Sequence, residues 1–166
     1  MESIQYTNHE LDLGMTLAPN WGVIEDRDIL VDEFGMSNND VENMPMVLLK
    51  RGEQNFTHVA YVTYEGRLLP TKDDYEKALA DNIAEIEKSG SKLFSRSNTF
   101  TQTGDPIAHI TWDNGKDDDG VPEYVSQYYI YTKELLLAVS TDVTKPGDEA
   151  DREVMNMVLS MKYVGE

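Results

Sequence analysis

The acidic loop between residues 113 and 120 contains the side chains best suited to bind or activate a ligand. Four aspartates and one asparagine lie within these eight residues. Carboxylate and amide oxygens are the ligands that Ca²⁺ prefers in proteins. Asp113, Asp117 and Asp119 are therefore the candidate metal ligands, and the same carboxylates could support a carboxylate- or metal-assisted hydrolase.

The spacing of this loop departs from the calcium-binding loop of helix–loop–helix proteins. That pattern requires ligands at alternate positions, glycine at the sixth and glutamate at the twelfth. When Gly120 is placed sixth, Gly115 falls on the first position and Ser126 on the twelfth, and neither residue fits. The sequence therefore favours an exposed acidic hairpin tip, with calcium binding as the alternative hypothesis.

The three histidines show no spacing that is typical of a metal or catalytic centre. His9, His58 and His109 lie in different segments of the chain. The segments around His58 and His109 are predicted strands, so these two side chains could meet across a sheet. A pocket that gathers both with acidic side chains would favour an enzyme, whereas ordinary hydrogen-bonded sheet residues are the favoured interpretation.

Several catalytic classes have no support in the sequence. The chain has no cysteine, which excludes disulfides, thiolate zinc sites and a thiol nucleophile. It contains no Gly-x-Ser-x-Gly nucleophile elbow, no phosphate-binding loop and no dinucleotide-binding glycine motif. We therefore expect a protein that is not an enzyme, with no cofactor unless the acidic loop binds calcium.

The net charge of −17 is the most informative feature of the composition. The chain contains 14 lysines and arginines and 31 aspartates and glutamates. Such a surface repels phosphate backbones and anionic lipids, so we expect neither nucleic-acid binding nor membrane insertion. A solvated acidic surface is the simplest interpretation, and a basic protein partner or a divalent cation is compatible with it.

The first part of the chain is predicted to contain strands joined by a long connection. Leu11, Leu13, Met15 and Leu17 alternate as in a half-buried strand. The acidic stretch 24–44 is predicted to be a surface connection, with a short strand or turn near 29–31. Two apolar runs, 46–50 and 57–64, are predicted strands.

The clearest predicted helix runs from about Lys72 to Lys88. Thr71 is its predicted N-cap, and Asp74 stands in the capping-box position. Gly90 supplies the stop signal just beyond the last turn. Apolar residues recur at helical spacing and predict one buried stripe that packs on a sheet: Tyr75, Ala78, Leu79, Ile83 and Ile86.

The second half is predicted to be a ladder of strands followed by a helix over 148–161. The polar run 92–103 is typical of an edge or solvent-facing strand, and 107–112 and 124–131 form a hairpin through the acidic loop. The apolar run 135–140 is typical of a central strand covered on both faces. Alternation places Tyr129 and Tyr131 on one face of the sheet and Tyr124 and Tyr128 on the other. Short turns imply antiparallel pairing with a helix on each face.

Both ends of the chain resemble a known group of folds. Pro19-Asn20-Trp21 follows the first strand, and a helix leads into Ser160-Met161-Lys162-Tyr163 at the end. These features resemble the PsbP/Mog1-like superfamily, in particular its bacterial DcrB-like branch. The resemblance implies an α+β fold in which a central, mostly antiparallel sheet is flanked by helices as an α/β/α sandwich. It also implies one domain over residues 1–166.

The resemblance implies a class of function without any catalytic residue. Members of that superfamily are mostly non-catalytic: accessory subunits of photosystem II, a factor for a small nuclear GTPase, bacterial lipoproteins and chaperones of type VI secretion effectors. We therefore expect a non-catalytic accessory or protein-binding domain that recognises another protein through a sheet face and the connection 24–46. A type VI effector chaperone-like protein is an alternative.

The compartment has two open alternatives. The first residues lack the basic and apolar regions of a signal peptide, so the chain as written would be cytoplasmic. Bacterial relatives of this fold include lipoproteins, so an extracytoplasmic domain whose leader has been removed is the other expectation. No stretch of about 18 apolar residues predicts a membrane-spanning helix.

Overall fold

The computed structural model describes residues 3–165, with the backbone alone for 65–68. Within these residues the chain forms ten strands and four helices. The strands are β1 (Ile4–Asn8), β2 (Leu13–Leu17), β3 (Trp21–Ile24), β4 (Met46–Arg51), β5 (Phe56–Leu68), β6 (Lys92–Phe100), β7 (Pro106–Lys116), β8 (Pro122–Thr132), β9 (Leu135–Val143) and β10 (Lys162–Tyr163). The helices are α1 (Arg27–Asp32), α2 (Asn38–Glu42), α3 (Lys72–Lys88) and α4 (Glu149–Leu159).

The main sheet is antiparallel throughout the strands that the structure describes, in the order β3-β4-β5-β9-β8-β7-β6. β9 lies in the middle of this order, as its continuous apolar run predicts. β6 lies at one edge, which confirms the prediction from its polar composition. The predicted α+β class with a mostly antiparallel sheet is confirmed.

A second, small sheet has the order β1-β2-β10. The prediction of an early strand is correct, but β2 pairs with β1 and β10 and not with the main sheet. The amide of Thr16 donates to Oγ of Ser160 at 2.8 Å, which ties β2 to the end of α4. The chain's two ends therefore meet in this sheet, although they are distant in sequence.

Helix α3 forms where the sequence places it. Thr71 caps it, and the reciprocal bonds with Asp74 complete the capping box. Its buried stripe packs on one face of the main sheet because that face presents a complementary apolar surface. The contact contains Tyr75, Ala78, Leu79, Ala108, Ile110, Trp112, Tyr129 and Leu136.

Helix α4 and the small sheet cover the opposite face of the main sheet. Asp148 caps α4 by accepting a hydrogen bond from the amide of Asp151. Tyr128 lies in this core and Tyr129 in the α3 core, so the predicted alternation and the predicted helix on each face are both correct. The core on the α4 side contains Leu13, Met15, Leu17, Val154, Met157, Val158 and Met161, among others.

The stretch 24–44, predicted from its acidic composition to be a surface connection, contains two short helices. The residues before it form the edge strand β3, and residues 29–31 lie in helix α1 rather than in a strand or turn. Leu30 and Val41 are buried against Val47 and Leu49 on the face of the main sheet that also carries α3. The prediction was wrong because these few apolar residues are too sparse to show a periodic pattern, although each suffices to anchor a short helix.

The β7–β8 hairpin is longer than predicted. Its strands reach Lys116 and Pro122, so the predicted loop over 113–120 is partly strand. Gly115 and Gly120 have positive φ, 86° and 80°, which is the conformation that glycine adopts most readily.

No helix in residues 3–165 is long and apolar enough to cross a membrane. The two ends of the domain predicted over 1–166 lie outside the described residues.

Candidate functional site

Two of the four carboxylates of the acidic loop, those of Asp113 and Asp117, accept hydrogen bonds in turns. Oδ1 of Asp113 accepts from the amide of Gly115 at 2.8 Å. Oδ1 of Asp117 accepts from the amides of Asp119 and Val121, each at 2.9 Å. Asp113 and Asp117 are therefore turn-forming residues, because their side chains accept hydrogen bonds from nearby backbone amides.

The acidic loop does not gather its carboxylates around a point. Among the residues that the structure describes, no three histidine, aspartate or glutamate side chains are arranged to hold a metal ion. Asp113, Asp117 and Asp119 lie on one hairpin, and calcium binding by them stays a prediction that only a titration tests.

A groove lies beside this hairpin, where it meets the ends of β5 and β9. We call it the loop-end groove; its volume is about 410 Å³. His58 from β5, Asp117 and Glu123 from the hairpin, and Asp142 from β9 line it. The register places the side chain of His58 on the α4 face of the sheet and that of Asp142 on the α3 face, so these groups line one groove without converging.

His109 does not join His58, so the alternative in which these two histidines meet across the sheet is wrong. The register pairs His109 with Tyr128, Tyr128 with Val139 and Val139 with Val62. His58 lies four residues further along β5. At ordinary strand spacing this places the two histidines about 14 Å apart across the sheet and about 13 Å along it.

His109 belongs instead to a polar contact inside the α4-side core. Its Nε2 lies 2.8 Å from Oγ of Ser126. Ser126 is fully buried, so its hydroxyl cannot meet a substrate and the pair is no nucleophile–base site. Burial lowers the pKa of His109 below its usual value, and the charge of Asp151 opposes part of that change.

A strongly acidic exposed surface is formed by α1, α2 and the residues that flank them, which we call the acidic helix pair. Residues 24–46 contain seven acidic side chains and one arginine, and all seven acidic residues are exposed. Arg27 pairs with Glu10 at 3.0 Å. Asp26 and Asp40 accept hydrogen bonds at the helix N-termini, where a negative charge is favourable.

Three other carboxylates of the acidic helix pair lie at helix C-termini. Asp32 and Glu42 are the last residues of α1 and α2, and Glu33 is the C-cap of α1. Neither last turn contains a basic residue. A negative charge at a helix C-terminus interacts unfavourably with the helix dipole, so these three carboxylates do not stabilise their helices.

The edge strand β6 carries three large exposed apolar side chains. Leu93, Phe94 and Phe100 are 48%, 53% and 60% exposed. Between β6 and α3 lies a second groove of about 400 Å³, the edge groove, which is lined by Lys72, Arg96 and Phe100 among others. The polar composition of β6 hides these residues in the sequence, although three large apolar residues in a predicted edge strand are a usable signal.

Comparison with known proteins connects this architecture to solved structures. No protein-family model matches the sequence, and no curated protein matches it significantly. Cyanobacterial PsbP (CyanoP) from Synechocystis sp. PCC 6803 is similar in structure, with a TM-score of 0.60 and 9% identity over 97% of this chain and 92% of that one. The chain has a PsbP-like fold.

A second solved structure is also similar to this chain. It is a protein of Bacteroides thetaiotaomicron VPI-5482, with a TM-score of 0.62 and 14% identity over 100% of this chain. This chain spans half the length of that protein. The structural similarity to CyanoP establishes the PsbP-like fold that the two ends of the sequence predicted. Assignment to the DcrB-like branch goes beyond this similarity in fold.

Proposed function

We propose that this PsbP-like domain, a member of the DcrB-like branch, is a non-catalytic accessory domain that recognises a basic surface on another protein through the acidic helix pair and the exposed part of the main sheet. The observation that carries the proposal is the position of Asp32, Glu33 and Glu42. These exposed carboxylates lie where the helix dipole disfavours them, and no basic residue in the same turn compensates for them.

The acidic helix pair is held in place before any partner arrives. Leu30 is fully buried and Val41 nearly so, both against β4. Ser37 and Asp40 form a capping box at the start of α2. A surface that is already ordered loses less conformational entropy on binding, so its charges can contribute fully to recognition.

The charge of this surface favours a basic partner. Exposed like charges in one patch attract an oppositely charged protein over the distance set by ionic screening, and they raise the association rate most at low salt. The proposal therefore implies an interaction that weakens as salt concentration rises.

The test is capture of partners from an extract of the native cells, with the wild-type domain and a variant carrying Asp32→Asn, Glu33→Gln and Glu42→Gln. Removing carboxylates from helix C-termini should leave the fold intact. A matched control carries Asp118→Asn, Asp119→Asn and Glu123→Gln in the exposed hairpin. Quantitative mass spectrometry measures each captured protein.

We expect one stoichiometric partner with a basic surface, whose recovery falls about tenfold or more with the helix-pair variant and little with the hairpin control. Equal recovery by the wild type and the helix-pair variant would contradict the proposal, as would the absence of any stoichiometric partner.

The loop-end groove supports a second candidate function, the binding of a small molecule and its carboxylate-assisted hydrolysis. Its specific observation is a groove of about 410 Å³ whose lining includes His58, Asp117, Glu123 and Asp142. A thermal-shift screen of ligands with the wild type and with Asp142→Asn tests it. A ligand whose stabilisation disappears with Asp142→Asn supports a site in this groove.

A further inference from the structure

The outer edge of β6 is an unused pairing surface. β6 contains nine residues, and all but one of them are exposed. Within residues 3–165 it pairs with β7 on one side and has no strand on the other. An unpaired strand edge presents a row of backbone donors and acceptors that an extended peptide can satisfy.

Apolar contacts are available on both faces of this edge. The register with β7 places Leu93 and Phe100 on the face that carries α3. Phe94 lies at an irregularity in the pairing and makes an edge-to-face contact with Tyr124, with ring centroids 5.2 Å apart. An added strand with alternating side chains would therefore meet an aromatic ring whichever face its apolar residues occupy.

The charge of this edge is opposite to that of the protein. β6 contains Lys92 and Arg96 and no carboxylate, although the whole chain has a net charge of −17. Lys72 lies with Arg96 in the edge groove, where Glu76 is the acidic neighbour. In the part of the chain that the structure describes, Arg96 forms no ion pair.

We propose that β6 binds an extended acidic segment of a partner protein by strand addition. The segment's backbone pairs with the outer edge of β6, its apolar side chains contact Phe94 or Phe100, and its carboxylates lie near Arg96 and Lys72. This inference rests on the proposed function, because strand addition supplies a second contact for a protein-binding domain.

A second copy of this chain fits the edge less well than an acidic segment does. Antiparallel pairing of β6 with itself would bring Lys92 and Arg96 of both copies to one seam, and like charges at such short range oppose association. Two chains that each carry a charge of −17 also repel one another at longer range.

Charged residues on edge strands also have a protective role, since lysine and arginine hinder aggregation between sheet edges. The two explanations predict different results. Protection alone predicts lower solubility when Arg96 is replaced and no preference for any peptide. Recognition predicts a preference for acidic, extended sequences that depends on Arg96.

The test is selection from a displayed library of random peptides of about twelve residues, long enough to span an edge strand. We expect the enriched peptides to alternate apolar residues with aspartate or glutamate and to lack a central proline. Arg96→Glu should weaken their binding about tenfold or more, whereas Lys116→Glu, a matched exposed charge on the hairpin, should change it less than about twofold. Hydrogen exchange of the bound domain should show new protection at β6 amides.

Several outcomes would overturn the inference: no enriched peptide, enrichment of basic peptides, binding that Arg96→Glu leaves unchanged, or a dimer in sedimentation velocity that pairs through β6. The helix-pair variant described above separates this inference from the proposed function. If that variant retains the acidic peptides, their site is separate from the acidic helix pair; if it loses them, the strand-edge inference fails.

Discussion

His109 of β7 stacks on Tyr128 of β8, with ring centroids 4.2 Å apart and planes 12° from parallel. The hydroxyl of Tyr128 donates to Oδ1 of Asp151 at 3.1 Å, and Oδ2 of Asp151 accepts from the amide of Gly147 at 2.8 Å. Burial raises the pKa of Tyr128, so its hydroxyl stays protonated and able to donate. The sheet and helix α4 are thereby connected by a polar contact inside an apolar interface.

Folding stability should fall on the acid side because of His109. Its pKa is lowered in the folded protein, chiefly by burial. The unfolded state therefore binds more protons once the pH drops below the usual value of about 6.5, and the free energy of unfolding decreases from there down to the folded pKa. Urea unfolding at about pH 7.5 and about pH 5.5 measures this change.

The matched variant for that measurement is His109→Gln, which keeps a polar side chain and removes the titrating group. Its free energy of unfolding should decrease less than that of the wild type between the two pH values. A decrease of the same size in both proteins would mean that His109 does not cause the acid sensitivity.

The ion pair between Lys50 of β4 and Glu153 of α4 should contribute to the packing of that helix. Both side chains are mostly buried, with 17% and 19% of their surfaces exposed. A double-mutant cycle with Lys50→Met and Glu153→Met should give a coupling energy of about 0.5–3 kcal/mol, because each single change leaves a poorly solvated charge. The exposed pair Arg27–Glu10 is the control, and its coupling should be below about 1 kcal/mol.

Leu30→Ala tests whether the acidic helix pair is docked on the main sheet. Leu30 has no exposed surface, so its truncation should cost about 2–5 kcal/mol of unfolding free energy. Ile4→Ala is the control, because Ile4 is 60% exposed and its truncation should cost less than about 0.5–1 kcal/mol. Equal, small costs would mean that the segment around α1 is not packed as the structure shows.

Calcium should change the melting temperature no more than an ionic-strength-matched monovalent salt does, since the carboxylates of Asp113 and Asp117 already accept hydrogen bonds in turns. A ligand that binds only the folded state raises the melting temperature, and the rise grows with the logarithm of the ligand concentration above the dissociation constant. A larger shift with calcium that disappears in Asp119→Asn would establish the calcium hypothesis for this loop.

The sequence determined the elements whose signals are local. Thr71, Asp74 and Gly90 defined helix α3 because capping and termination depend on neighbouring residues. The apolar run of β9 identified a central strand because burial on both faces removes the polar alternation. The alternation of Tyr128 and Tyr129 assigned their faces, since that follows from strand geometry alone.

Which of these elements pair or pack together is visible only in the three-dimensional fold. Nothing local shows that β2 pairs with β10, that Leu30 and Val41 are covered by β4, or that His58 and His109 are separated by the intervening strands. The exposure of the aromatic rings of β6 also depends on strand order. The order of the strands and the docking of the short helices depend on the burial of apolar residues that are distant in sequence. A short stretch of neighbouring residues does not contain that information.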